Sequence, residues 1–204
     1  VFPDRRIERC RLGIPGLVNV ENCVAAAALV WSEGFVLDER MREAIATFRG
    51  VQRRFDFWVN DPSVAGGTIY MDDYAHHPAE LRAMLSSVRK MFPERELTVI
   101  FQPHLYTRTR DFAPEFAEAL SLADRVWLLP IYPARELPIP GVASEMILDG
   151  ITTPRKRLIS KEQLLEEVAA LATGGVLVTA GAGDIDRFCA PVAALVQRKN
   201  GGVG

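Results

Sequence analysis

From Arg53 to the C-terminus, short apolar runs alternate with amphipathic stretches, and this alternation limits the possible folds more than any other feature of the chain. Thr68-Ile69-Tyr70-Met71, Leu97-Thr98-Val99-Ile100-Phe101, Val126-Trp127-Leu128-Leu129 and Val176-Leu177-Val178-Thr179 read as strands covered on both faces. Between them, Leu81, Met84, Leu85, Val88 and Phe92 trace one helix face behind Pro78, which suits a first helical turn. Phe112, Phe116, Ala119 and Leu120 trace a second face. Ser160-Lys161-Glu162-Gln163 is a capping box ahead of Leu164, Leu165, Val168 and Leu171. A last helix carries Phe188, Val192, Leu195 and Val196 and is expected to fray over Asn200-Gly201-Gly202-Val203-Gly204. The order predicts an α/β domain: a Rossmann-like, mostly parallel sheet with helices on both faces.

Residues 1–49 read differently. Asn19-Val20-Glu21-Asn22 leads into Cys23 through Trp31, an alanine-rich helix capped by an amide, stopped at Gly34 and expected to be buried on most sides. A second helix after Asp38 repeats Leu37, Met41, Ala44, Ile45 and Phe48 on one face and is expected to end at Gly50. The boundary is therefore placed near Gly50, separating 1–49 from 50–204. Because the chain opens on Val1 with no start signal, it is expected to be a piece of a longer polypeptide whose activity is incomplete.

Composition narrows the partners. With 24 basic and 26 acidic residues the net charge is −2, so nothing overall favours nucleic acid or an anionic membrane, and any anion must be held locally. No apolar run approaches the ~20 residues that cross a bilayer, and the N-terminus lacks a signal-peptide pattern, so a cytoplasmic protein is expected. Cys10, Cys23 and Cys189 are odd in number and far apart, as expected of reduced core thiols.

In a parallel sheet, ligands lie beyond the carboxyl ends of the strands. Those segments are polar here: Asp72-Asp73-Tyr74-Ala75-His76-His77, Gln102 through Arg110, Pro130 through Glu136, and Ala180 through Asp184. All three histidines of the chain, His76, His77 and His104, fall in two of them. Acids with histidines suggest a metal-dependent hydrolase, but neighbouring His76 and His77 point apart in an extended segment and no further acid cluster completes a site, so no protein metal centre is expected. His77 alone reads equally well as the cap of the Pro78 helix. Arg108 and Arg110 sit near a helix start, where cations oppose the macrodipole, and so point to anion binding. Gly181-Ala182-Gly183-Asp184 lacks the third glycine of a dinucleotide fingerprint, although it lets backbone approach a ligand; no Walker-type phosphate loop occurs.

Asp72 through Pro78 combined with Phe101 through Arg110 resembles the C-terminal part of the Mur ligase family. The resemblance continues through Gly50-Val51-Gln52-Arg53-Arg54-Phe55-Asp56, Tyr132-Pro133-Ala134-Arg135-Glu136, Pro138-Ile139-Pro140-Gly141 and Gly181-Ala182-Gly183-Asp184-Ile185, covering essentially the whole chain. Pro15 through Asn22 resembles the end of that family's central ATP-binding domain. The resemblance implies an ATP-dependent ligase whose N-terminal and central domains, with the phosphate loop, lie outside this chain. It implies joining of L-alanine to UDP-N-acetylmuramate through an acyl phosphate, with magnesium held mainly by the absent part. Asn19 and Asn22 are implied at adenine, Arg54 at the ATP phosphates, Asp73 at the ribose, and His76, His104 and Arg108 at the amino-acid and acyl-carboxylate side. Val18 stands where many members have histidine, and Leu105 where some have arginine, which leaves Arg108 as the carboxylate clamp. The alternatives are the related ligase that attaches a tripeptide, a stand-alone nucleotide-binding regulatory module, and the metal-dependent hydrolase.

Overall fold

The computed structural model describes residues 6–34, 37–61 and 64–202 of the chain. It divides into two compact units, Val1–Phe55 and Asp56–Gly204.

The first unit contains helices α1 (Leu17–Ser32) and α2 (Asp38–Thr47). The cap of α1 differs from the sequence expectation: Gly16, at φ 100°, occupies the N-cap and Asn19 lies inside the first turn, its amide donating to the carbonyl of Pro15. A side chain on Gly16 would meet the Phe55 ring at 3.3 Å, so glycine provides both the left-handed turn and the close approach. Gly34 does stop the helix, its N–H donating to Trp31 O. Burial also departs from expectation. Val20, Val24 and Leu29 of α1 are exposed, as are Leu37 and Phe48 beside α2, and only Met41 of α2 is buried. α2 ends at Thr47 because Phe48 turns to extended geometry, before Gly50 is reached.

The second unit is a six-stranded sheet in the order β1-β2-β6-β3-β4-β5, with β1 (Asp56–Val59), β2 (Ile69–Asp73), β3 (Leu97–Phe101), β4 (Arg125–Leu128), β5 (Arg155–Leu158) and β6 (Val176–Ala180). Only β1 runs antiparallel. The uninterrupted apolar runs became the central strands β2, β3 and β6, buried along their whole length. Helices α3 (Pro78–Met91), α4 (Tyr106–Leu120) and α5 (Glu145–Gly150) cover one face, where the rings of Phe101 and Phe116 lie 5.4 Å apart. Helices α6 (Lys161–Ala170) and α7 (Cys189–Gly201) cover the other, packing Leu164, Val168, Val192 and Val196 on Tyr70, Ile100, Trp127 and Leu177. The same face buries a polar chain in which Tyr70 Oη meets Thr179 Oγ1 at 3.0 Å and Thr179 donates to Asp72 at 2.6 Å.

The expected capping box of α6 forms, Ser160 accepting from Gln163 N–H and Gln163 from Ser160 N–H. Phe112 departs from its expected helical place: it sits at a kink of non-helical φ/ψ two residues before Pro114. Phe188 belongs to the 3-10 turn Asp184–Phe188, and α7 holds through Gly201 where fraying was expected; Val203 and Gly204 lie outside the described residues. The thiols are free, but Cys10 is exposed and only Cys189 is a core thiol, its pKa raised to about 11 chiefly by burial. Among the described residues no helix is long and apolar enough to cross a membrane.

Candidate active site at the carboxyl ends of the strands

Chain reversal sets the location. After β3 the chain moves through α4 to β4 over one face, whereas after β6 it turns back through α7 over the other, so the ends of β3 and β6 form the switch point at which ligands bind in sheets of this kind. Gln102 lies between those ends, its N–H donating to Ala180 O at 3.0 Å. Its side chain donates to Asp184 at 2.8 Å and accepts from Ile185 N–H at 3.0 Å. A side chain on Gly181 would come within 2.6 Å of Gln102 O, and one on Gly183 within 2.7 Å of Tyr132. These glycines therefore admit protein backbone and the Gln102 and Tyr132 side chains.

Three of the expected site residues come together on the neighbouring loops. The rings of His76, on the loop after β2, and His104, on the loop after β3, lie 6.0 Å apart, and Arg108, one helical turn further on, places Nη1 3.3 Å from His104 Nδ1. A guanidinium only donates, so Nδ1 accepts and the neutral ring carries its proton on Nε2. Burial, then the Arg108 charge, then His76 push the His104 pKa below its ordinary value, against a smaller opposing pull from Glu136. His76 Nδ1 meets Tyr74 O at 2.9 Å, while Glu80 accepts from His76 N–H at 2.9 Å. His77 faces away, against Phe112 at 5.1 Å, and accepts from Ala79 N–H, which makes it the helix cap.

Asp73 ends β2 almost fully buried and accepts from Ala75 N–H at 2.8 Å, shaping the turn that presents His76. Asn19, Asn22 and Arg54 belong to the first unit, where Asn22 and Arg54 are exposed and Asn19 half-buried. Sequence reasoning missed three neighbours. Tyr132 stacks on His104 at 5.8 Å; Lys161 pairs with Asp184 at 2.6 Å and lies 6.0 Å from the Tyr132 ring; Glu136 grips Thr107. The sequence pattern places Lys161 in the capping box of α6, and only its position three residues past the end of β5 distinguishes it. With its carboxylate satisfied by Lys161 and Gln102 despite burial, Asp184 stays below the usual carboxylate pKa.

A doubly wound sheet with a histidine–arginine cluster at its switch point is the architecture of a ligand-binding α/β domain. The chain belongs to the Mur ligase family, whose glutamate ligase domain matches residues 53–183. It is 52% identical over 192 residues to a UDP-N-acetylmuramate–L-alanine ligase of Parabacteroides distasonis, covering 94% of this chain and 40% of that protein. Among solved structures, the UDP-N-acetylmuramate–alanine ligase of Thermotoga maritima matches with a TM-score of 0.74 and 33% identity over 92% of this chain and 40% of that one. A murein peptide ligase from Psychrobacter arcticus shares the fold, with a TM-score of 0.63 and 20% identity over 96% of this chain and 41% of that one. The chain thus spans about two fifths of the length of the relatives it matches.

Proposed function

We propose that this chain is the C-terminal part of an ATP-dependent ligase that joins L-alanine to UDP-N-acetylmuramate in the cytoplasm, and that residues 1–49 are the end of its central ATP-binding domain. The carrying observation is the meeting of His76, His104 and Arg108 at the switch point of a domain whose relatives are alanine ligases. The greater identity to the alanine ligase structure than to the peptide ligase favours alanine over a tripeptide.

In this reading ATP converts the muramoyl carboxylate to an acyl phosphate, and the alanine amine displaces phosphate. Arg108 clamps a carboxylate through its planar fork beside neutral His104, and His76 lines the same side. Asn19 and Asn22 meet adenine, Arg54 the ATP phosphates and Asp73 the ribose. Closure over these groups keeps water from the acyl phosphate. Among the described residues no group of three or more His, Cys, Asp or Glu side chains is placed to hold a metal ion. We assign the magnesium that this reading implies to the rest of the polypeptide. The test is ligation by the full-length protein with UDP-N-acetylmuramate, L-alanine and ATP, where absence of the amide product refutes the reading. The 204-residue chain alone is expected to form none.

A further inference from the structure

We infer that Glu136 is a positioning residue for Arg108: from the loop after β4, its carboxylate grips the first turn of α4 and fixes the orientation in which that turn presents Arg108 beside His104. The turn has no side-chain cap of its own. Its N-cap is Leu105, which offers no side-chain acceptor and sits at φ 73°, a left-handed conformation strained for a leucine. Two contacts from the neighbouring loop compensate. Leu105 N–H donates to Tyr132 O at 3.0 Å, and Glu136, 29 residues along the chain from Thr107, accepts from Thr107 N–H at 3.0 Å and from its hydroxyl at 2.5 Å. Both carboxylate oxygens are thereby engaged on the residue directly before Arg108. The loop is itself braced, since Tyr132 N–H donates to Pro103 O and Glu136 N–H to Pro133 O, both at 2.8 Å.

Charge supports the same assignment. Arg108 and Arg110 put two cations at the positive end of the α4 macrodipole, and the Glu136 carboxylate opposes them there. The Thr107 hydroxyl, then its N–H, keep the Glu136 pKa below the usual range, so the grip is anionic at neutral pH. Around His104 stand Arg108 on α4, His76 after β2, and Glu136 and the Tyr132 ring after β4, with Lys161 of α6 6.0 Å from the centroid of that ring. Glu136 therefore acts on His104 in two opposed ways: its charge raises the histidine's pKa, and by holding Arg108 close it lowers it.

Two experiments separate these. In the full-length enzyme, an arm that rests on the ligase reading, Glu136→Ala should lower kcat/KM for L-alanine or the muramoyl substrate about tenfold. The double variant Glu136→Ala/Arg108→Ala should be no slower than Arg108→Ala alone, whereas multiplied losses overturn the inference. Glu136→Gln should recover most of the loss, because its amide accepts from Thr107 N–H and donates to the hydroxyl. The second experiment needs no activity: with only three histidines, His104 can be titrated by NMR in the 204-residue chain. Both variants remove the charge, but only Glu136→Ala frees Arg108, so His104 should titrate higher in Glu136→Ala than in Glu136→Gln. Equal titrations overturn the inference even if the protein proves to ligate nothing. Should Glu136→Ala fail to fold, Thr107→Val, which removes only the hydroxyl contact, takes its place with the same expected direction.

Discussion

The two ends of the sheet differ in one cation. At the amino ends of the strands every guanidinium closes on an oxygen of the protein. Arg125 and Arg155 both donate to Glu96, at 2.9 and 3.0 Å, Arg89 donates to Asp124 at 2.8 Å, and Arg95 donates to the carbonyl of Gly67. At the carboxyl ends, Lys161 is likewise paired with Asp184, but Arg108 meets only the ring nitrogen of His104. The first end is electrostatically finished by folding. At the second, a half-buried guanidinium has no carboxylate partner among the described residues, so a substrate anion would complete it.

The largest expected effect therefore falls on Arg108 in the full-length enzyme. Arg108→Ala should lower ligation roughly ten- to hundred-fold, the loss of one charge-assisted contact of about 1.5–3 kcal/mol. Arg108→Lys should recover only part, since an ammonium keeps the charge without the fork. Steady-state rates within about twofold of wild type would place Arg108 with the structural cations, because RT ln 2 is only about 0.4 kcal/mol.

This asymmetry was only half legible in the sequence. The polar stretches after Met71 and Phe101 stood out because they follow apolar runs, which is why His76, His104 and Arg108 could be named before their positions were known. Glu136 stands in the sequence only within a motif and Lys161 only within a capping box, since their roles depend on Thr107 and Asp184, residues brought to them by the order of the strands. The edge strands escaped for a related reason. Arg155–Leu158 alternates exposed and half-buried residues and contains three cations, so its sequence resembles a loop until β4 pairs with it. In the first unit the apolar helix was read as buried, because composition reports what a surface favours and not what covers it.

Next in size is a change at the finished end. Asp124 accepts from the N–H of fully buried Leu97 as well as from Arg89. Asp124→Ala orphans that N–H, which should destabilise the fold by about 1–3 kcal/mol, with roughly 2–4 °C of Tm per kcal/mol for a domain this size. Asp124→Asn, which keeps an acceptor, should cost about 1 kcal/mol or less. Calorimetry of both variants checks this, and ligation at temperatures where they remain folded should be unchanged. A rate loss comparable to that of Arg108→Ala would break the division of labour between the ends.

Acid offers a smaller test. Burial raises the pKa of Glu96 and Asp124, but their arginine contacts, with Leu97 N–H for Asp124, outweigh it and leave both below the ordinary carboxylate values. A depressed carboxylate contributes stability that is present above its unfolded pKa and is lost as pH falls through its folded one. Melting temperatures should accordingly fall as pH drops below about 4, by amounts limited to about 1 kcal/mol per pair because these groups are more than one third exposed. Glu96→Gln with Asp124→Asn should flatten that limb, and an unaltered limb would remove these pairs from the account.

The smallest effect compares the two ends within one titration. His104 is lowered from the ordinary 6.5 by burial first, then by Arg108 and His76. For a base with a depressed folded pKa, the unfolded chain binds more protons in the interval between the folded value and 6.5. Stability therefore rises with pH through that interval, is complete above it, and is lost on acidification in a window above that of the carboxylates. Arg108→Ala removes one cause of the depression, so His104 should titrate closer to 6.5 and the slope of Tm between pH 5.5 and 7.5 should become shallower. Because Arg108 has no carboxylate to lose, its removal should leave Tm at pH 7.5 almost unchanged, unlike Asp124→Ala. A His104 titration indifferent to Arg108→Ala would mean that the guanidinium does not rest against the ring in solution. A fall in Tm at pH 7.5 matching that of Asp124→Ala would mean that the carboxyl end of the sheet is held by its cation just as the amino end is.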